Sequence, residues 1–402
     1  MSYDLSKVPK VDTSICIPKE EYAARVKELR RKMAERSLDI GILYSNPYMP
    51  GDVMYFCGYD PQLENPIALV SQEKFILLTG PEGSNNAAEQ LTYGEIRVPV
   101  EMNMPDEDYP NFYDKYNKLE DIIDELHPGK IRRVGLLTRS DVMAMNVLEM
   151  LRPYFRDADI VDASDIVYYQ MRFLKSVNEM AVQRISNQIC AEGLKAMIES
   201  LEEGMTELEL TAVGDYVMKR MGASVYGFDT FLLSGPRINT IIGRGTHKVI
   251  KRGELVSIGV ASRFNGYAST ARRMAVCGGE PTKAQKELMD RTVKAHELAV
   301  EQFVEGNRRC DLNRTVTKYF DQFDLSKYQV YTCAHGTGIH ECQEGIPFIQ
   351  YDETPIARNC SMMIDIGLYN HPELYGSCIE NPYLINEKGE TECLNDLPLV
   401  TY

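Results

Sequence analysis

Residues Ala334–Ile349, AHGTGIHECQEGIPFI, and the two segments after them, MMIDIGLY (362–369) and SCIENPYLI (377–385), constrain this chain more than any other part of it. Each of the later segments is a short apolar run with one carboxylate, Asp365 in the first and Glu380 in the second. Runs of that length and composition read as strands. A histidine, His335, set among glycines ahead of two acid-bearing strands is how a chain collects an imidazole and carboxylates from separate strands into one pocket. The remaining residues are read as the scaffold around it.

At 402 residues the chain exceeds one ordinary hydrophobic core and suits two domains. An apolar content of 44% with 26% charged residues describes a folded protein rather than a disordered or fibrous one. The net charge of −15 argues against a nucleic-acid or anionic-membrane surface, which needs clustered Lys and Arg. A small-molecule substrate is the expected partner. The N-terminus, MSYDLSKVPKVD, lacks the apolar core of a signal peptide, and no apolar run is long enough to span a bilayer, so a cytoplasmic location is expected. Ten cysteines without a C-x-x-C pair point to free thiols.

In EEYAARVKELRRKMAERSLD, Tyr22, Val26, Leu29 and Met33 fall at helical spacing, and DIGILYS follows as a buried strand. PYMPGDVMYFCGYDP reads as a loop rich in Pro and Gly. NPIALVSQEKFILLTG reads as two strands about a polar turn, and KIRRVGLLT and DADIVDAS as further strands around an amphipathic stretch from Asp141 to Leu151. Residues 1–168 therefore form an α/β domain with a mixed sheet. In 169–402, Val182, Ile185, Ile189 and Ala196 mark one face of a long helix. A second helix starts at Thr206 with a capping box to Glu209 and apolar positions Leu210, Val213 and Val217. Strands follow (DTFLLSG, ELVSIGVASRF, GYASTARRMAV), then helices over Thr282–Phe303 and Asp311–Phe323. Helices, strands, helices, strands suggest two similar halves of an α+β domain.

Over most of the chain, MRFLKSVNEM, LEEGMTELEL, SGPRINTIIGRGTHKVIKRGELVSIGVASRFNGYAST, HGTG, MMIDIGLY and CIENPYLINEKG stand in an order that resembles the creatinase and Xaa-Pro aminopeptidase family. The resemblance implies a pita-bread C-terminal domain behind a smaller creatinase-type N-terminal domain, and a homodimer. Its peptidases hold two metal ions with two Asp, one His and two Glu. Placed on this sequence, the two Asp positions are Gly259 and Thr270, the His is His335, Asp365 stands where a Glu is usual, and Glu380 matches the last Glu. The two-metal mechanism needs ions roughly 3.5 Å apart, and without the aspartates it is not expected. His335, Asp365 and Glu380 could still hold one divalent ion; otherwise no cofactor is implied. The family's substrate-facing His falls at Ile242. Its second His falls at Cys342, with Gln343 at a neighbouring Glu position, and His247 or His340 could stand in from shifted places. In creatinase, the metal-free member, the catalytic His also maps to Ile242 and a guanidinium-binding Glu maps to Arg272.

Several residues carry two readings. His335 is a general acid/base or ligand, or a histidine that holds the fold. Asp365 and Glu380, if buried together, force one carboxyl to keep its proton, or each pairs with an arginine. Arg272 and Arg273 suit an anionic substrate group. Thr270 and Tyr267 could line the pocket as hydroxyl donors, although Tyr267 equally suits a core. Cys342 is a nucleophile if a His activates it, and a packing residue otherwise. His340 is a pocket residue or, with Glu341, loop surface. Gly336 and Gly338 permit close backbone approach. Tyr48, Tyr55 and Phe56 either reach a partner's active site or pack in their own loop. The expected function is a metal-independent or single-metal hydrolase of a C–N bond in a small carboxylate-bearing substrate, with His335, Asp365 and Glu380 catalytic. The alternatives are a ligand-binding family member without activity, or an Xaa-Pro peptidase with a rebuilt metal site.

Overall fold

In the computed structural model, which describes residues 3–342, 344–346 and 348–400, the chain divides into two compact units. One runs from Ile17 to Arg172; the other runs from Phe173 onward and includes the N-terminal stretch up to Cys16. Gln343, read above at a neighbouring Glu position, lies outside the described residues.

The N-terminal unit opens with α1 (Lys19–Glu35), whose Val26, Leu29 and Met33 are buried at the spacing the sequence shows. Strand β1 (Ile40–Tyr44) follows, then α2 (Gly51–Cys57), β2 (Ile67–Val70), β3 (Phe75–Leu78), α3 (Pro81–Gln90), β4 (Glu95–Arg97), α4 (Leu119–Leu126), β5 (Arg133–Leu136), α5 (Met145–Leu151) and β6 (Asp159–Asp162). The sheet is mixed, in the order β4-β3-β2-β1-β5-β6. Helix α2 corrects the reading of 47–61 as a loop. All seven of its residues are buried, and Gly58 ends it in the left-handed region at φ 79°. Pro and Gly here bracket one short helix rather than mark a loop. Tyr55 and Phe56 belong to that buried helix, and the Tyr55 hydroxyl donates to the Met171 carbonyl. Tyr48 is exposed.

The C-terminal unit begins with α6 (Val177–Ser200) and α7 (Glu207–Met221), both started by capping boxes, Ser176 with Glu179 and Thr206 with Glu209. Then come β7 (Val225–Tyr226), β8 (Phe231–Ser234), β9 (Leu255–Phe264), β10 (Tyr267–Val276), α8 (Lys283–Gln302), α9 (Cys310–Asp321), β11 (Ala334–Gly336), β12 (Ser361–His371), β13 (Tyr375–Ile385) and β14 (Thr391–Cys393). The sheet runs β11-β12-β13-β10-β9-β7, with β14 paired to β13 and β8 to β9. Asn265 and Gly266, both at positive φ, close the β9–β10 hairpin as a two-residue turn between Phe264 and Tyr267.

That hairpin fixes which side chains share a face, because side chains alternate along each strand. Tyr267, Ser269, Ala271 and Arg273 face one way with Val260 and Ser262; Thr270 and Arg272 face the other with Gly259 and Ala261. Helix α6 lies against β9 and β10 on the first face, where Ser186 bonds Ser262 and Ser269. Among the described residues no helix is long and apolar enough to cross a membrane.

Candidate functional site

The face of the sheet that carries Arg272 collects the chemistry. Arg272 is paired with Glu380 across β10 and β13, and Glu380 with Asp365 across β13 and β12. His335, opposite Met363 on β12, falls on the same face as Asp365. One nitrogen of His335 and one oxygen each of Asp365 and Glu380 lie within 4.8 Å of one another. His335 Nε2 is 3.1 Å from Glu380 Oε1 and 3.7 Å from Glu341 Oε1. The Tyr331 hydroxyl donates to Asp365 Oδ1 at 3.0 Å and stands 2.9 Å from the Tyr369 hydroxyl. Gly367, between Asp365 and Tyr369 on β12, makes this possible, since a Cβ there would come within 2.2 Å of the Tyr331 oxygen.

Crowded charges shift one another. Burial and the neighbouring carboxylate of Glu380 raise Asp365 well above the ordinary carboxylate range, although Arg272 and His335 oppose the shift. Glu341 is raised in the same way. Burial works against a charged His335, but Glu341, Glu380 and Asp365 outweigh it and raise the imidazole to about 10. Glu341 is therefore a member of the site that the sequence reading assigned to loop surface. Its side chain is only 11% exposed, and no local pattern around it signals burial.

The structure separates the other candidates. Arg272 is 3% exposed, donates to the Tyr369 hydroxyl at 2.6 Å and the Ile241 carbonyl at 3.2 Å, and lies over the Phe231 ring at 4.3 Å. Arg273 corrects the pairing of the two as substrate anchors. It faces the helix side, and its donors go to Pro398, Arg272, Glu380 and Leu397 carbonyls and to Asn381 Oδ1. Tyr267 is corrected likewise: on that same face it donates to Glu179 Oε1, inside the α6 capping box. Thr270 is on the site face, but its hydroxyl is spent on the Val260 carbonyl. His340 is buried with its amide on Glu344 Oε1, in a turn that Lys175 steadies through Glu344, and it does not join the His335 cluster. Burial, Glu341 and Glu380 push the Cys342 thiol up to about 12, which disfavours a thiolate nucleophile at neutral pH. His247 and Ile242 are exposed, the latter at 73%.

One imidazole and two carboxylates are the donor set of many single-ion catalytic sites, and they fit one divalent cation such as zinc, manganese or cobalt. A second ion does not fit. Position 259 has no side chain, a Cβ there would meet the Phe231 ring at 2.3 Å, and the Thr270 hydroxyl is already engaged.

Comparison with known proteins gives consistent results. Residues 181–387 match the profile of metallopeptidase family M24, and residues 25–173 match the creatinase/prolidase N-terminal domain. The Xaa-Pro dipeptidase of Pyrococcus horikoshii is 27% identical over 365 residues, covering 91% of this chain and 95% of that protein. The Xaa-Pro dipeptidase of Pyrococcus furiosus is also 27% identical, over 91% of this chain and 96% of that one. The crystal structure of the P. horikoshii prolidase superposes with a TM-score of 0.79 at 25% identity, covering 94% of this chain and 100% of that one. The X-Pro aminopeptidase of Thermotoga maritima, at 22% identity and TM-score 0.79, shares the fold over 93% of this chain and 98% of that one.

Proposed function

Because the chain belongs to metallopeptidase family M24, with a creatinase/prolidase domain ahead of the pita-bread unit, we propose that it hydrolyses a C–N bond in a dipeptide-sized substrate bearing a carboxylate. The observation that carries this is the convergence of His335, Asp365 and Glu380 within 4.8 Å on the same sheet face as the buried guanidinium of Arg272. The relatives are Xaa-Pro dipeptidases, so Xaa-Pro dipeptides are the leading substrates. That reading takes precedence over the creatinase-like, metal-independent reaction expected from the sequence.

An ion held by His335, Asp365 and Glu380 supplies, when bound, Lewis-acid polarisation of a carbonyl oxygen. The chain's own residues orient the parts. Glu380 and Glu341 hold the His335 imidazole from the Nε2 side, and Tyr331 fixes Asp365. Arg272 offers a planar fork to the substrate carboxylate. A homodimer, the state implied by the family resemblance, is part of the proposal, and light scattering on the purified chain checks it.

The functional test is proline release from Xaa-Pro dipeptides with added manganese or cobalt. Turnover is expected, falling about a hundredfold or more in His335→Ala and in Glu380→Gln. Turnover unchanged in His335→Ala would remove the role assigned to this cluster. A dipeptide that raises Tm and is never cleaved would mark a binding protein on a hydrolase fold.

A further inference from the structure

Arg272 is a buried cation without a counter-ion of its own. Among the described residues no carboxylate lies within ion-pair distance of it, and only two of its five N–H donors find acceptors, the Tyr369 hydroxyl and the Ile241 carbonyl. Its Nε is buried and unpartnered among the described residues. A guanidinium this deep is costly unless something compensates it. Here the compensation is the field of Asp365 and Glu341, whose carboxylates feel Arg272 directly.

Three contacts hold the guanidinium in place: the Tyr369 hydroxyl, the Phe231 ring and the Ile241 carbonyl. Phe231 stands opposite Gly259 in the β8–β9 register, so its ring fills the space that a side chain at 259 would take. That ring is stacked on Phe228 at 4.8 Å and supports the Arg272 plane from below. The Ile241 carbonyl is presented by a γ-turn: Ile241 sits at φ 66°, ψ −59°, with the Ile242 amide bonded to the Thr240 carbonyl at 2.7 Å. This turn is rare and strained, more so for a β-branched residue. It presents the Ile241 carbonyl to Arg272 Nη2.

We propose that Arg272 is a built-in cation that takes the role of the family's second metal ion, with Phe231 excluding that ion and the open guanidinium donors holding a carboxylate or carbonyl oxygen of the substrate. The role as substrate holder rests on the hydrolase reading above; the exclusion of a second ion does not. A fixed guanidinium supplies positive charge at any metal concentration and recognises a planar pair of oxygens. It cannot bridge a water molecule to a second ion, so the centre takes one divalent ion at most.

The test is a titration with manganese alone, followed by calorimetry and by elemental analysis after desalting, and it needs no substrate. Wild type is expected to saturate at no more than one equivalent per chain. Arg272→Met, whose thioether can lie on the Phe231 ring, removes a positive charge beside the donors. Its Kd for manganese is expected to fall about tenfold or more, or binding to emerge where wild type shows none. Arg272→Lys keeps the charge and is expected to stay within about threefold of wild type. Two equivalents on wild type, or a Kd in Arg272→Met equal to wild type, overturns the inference. Should Arg272→Met fail to fold, the wild-type stoichiometry and the Arg272→Lys value still decide it. Absence of turnover on dipeptides with one equivalent bound would count against the substrate assignment and leave the built-in cation standing.

Discussion

Arg272 and Arg273 are neighbours on β10 and equally hidden from solvent, at 3% and 0% exposure, yet they live in opposite conditions. Every donor of Arg273 is taken, by four carbonyls and one side-chain amide that draw β10, β13 and residues 397–398 together. Burial lowers its pKa to about 10, so it stays charged at neutral pH. Arg272, one residue earlier, has three donors without an acceptor among the described residues and looks onto carboxylates rather than into helices. The difference teaches that burial alone does not tell a structural arginine from one meant for a ligand. The count of filled donors does.

The comparison breaks most sharply if the two respond alike to truncation. Arg273→Met strands three buried acceptors and two part-buried ones and is expected to lower stability by about 3–5 kcal/mol, whereas Arg272→Met costs about 1 kcal/mol or less. Urea unfolding of both variants measures the contrast, and equal losses would erase it.

A smaller effect belongs to the Arg273 side. His296 on α8 is fully buried, and burial followed by the nearby charge of Arg273 lowers it from 6.5 to about 3. Between those values the folded chain keeps His296 neutral while the unfolded chain protonates it. The unfolded state therefore binds the extra proton, and stability is full above about pH 6.5 and falls as the pH drops towards 3. From pH 7 to pH 5 the expected loss from this residue is about 2 kcal/mol. Unfolding free energies measured at both pH values should lose that increment in His296→Leu, and a pH slope unchanged by the substitution would refute the assignment.

The smallest effect belongs to the Arg272 side. Ile241→Gly relieves the positive φ, but glycine's larger unfolded entropy and the loss of a half-buried side chain packed on the cluster of Leu233, Ile238 and Tyr369 offset the strain of about 1–3 kcal/mol, so stability should change by about 1 kcal/mol or less. The same change loosens the carbonyl that orients Arg272. A Tm close to wild type paired with a higher KM for carboxylate-bearing substrates is expected, and a loss of Tm as large as that of Arg273→Met would show that the turn is not strained.

Much of this was legible in the chain, and what was missed has physical reasons. Periodicity and the Thr206 capping box found the helices over 177–200, 207–221 and 283–302 and the paired strands after them, because those segments bury one regular face. Helix α2 escaped since seven residues between Pro50 and Gly58 are too few to show a period. The pairing of Arg272 with Arg273 as anchors ignored strand parity. Position 272 shares a face with 270, one of the two aspartate positions of the family, and 273 cannot. Parity also places Tyr369 beside Asp365, whereas Glu341 is brought in by an irregular turn after β11 that no local pattern encodes. Phe231 was invisible for a different reason: its part is to occupy the space opposite a glycine, and only a register shows that.

The Phe231–Gly259 fit also shapes the routes by which this protein can change. An aspartate introduced at 259 alone meets an aromatic ring, and removing the ring alone opens a cavity at a cost of about 3–5 kcal/mol. Restoring acids at 259 and 270 while Phe231 and Arg272 remain puts new charge against a ring and beside a cation that is already placed. Each substitution acquires its value only in the company of the others, so the four positions form an epistatic block. A one-step mutational walk from this centre to a dinuclear one therefore crosses a valley in stability.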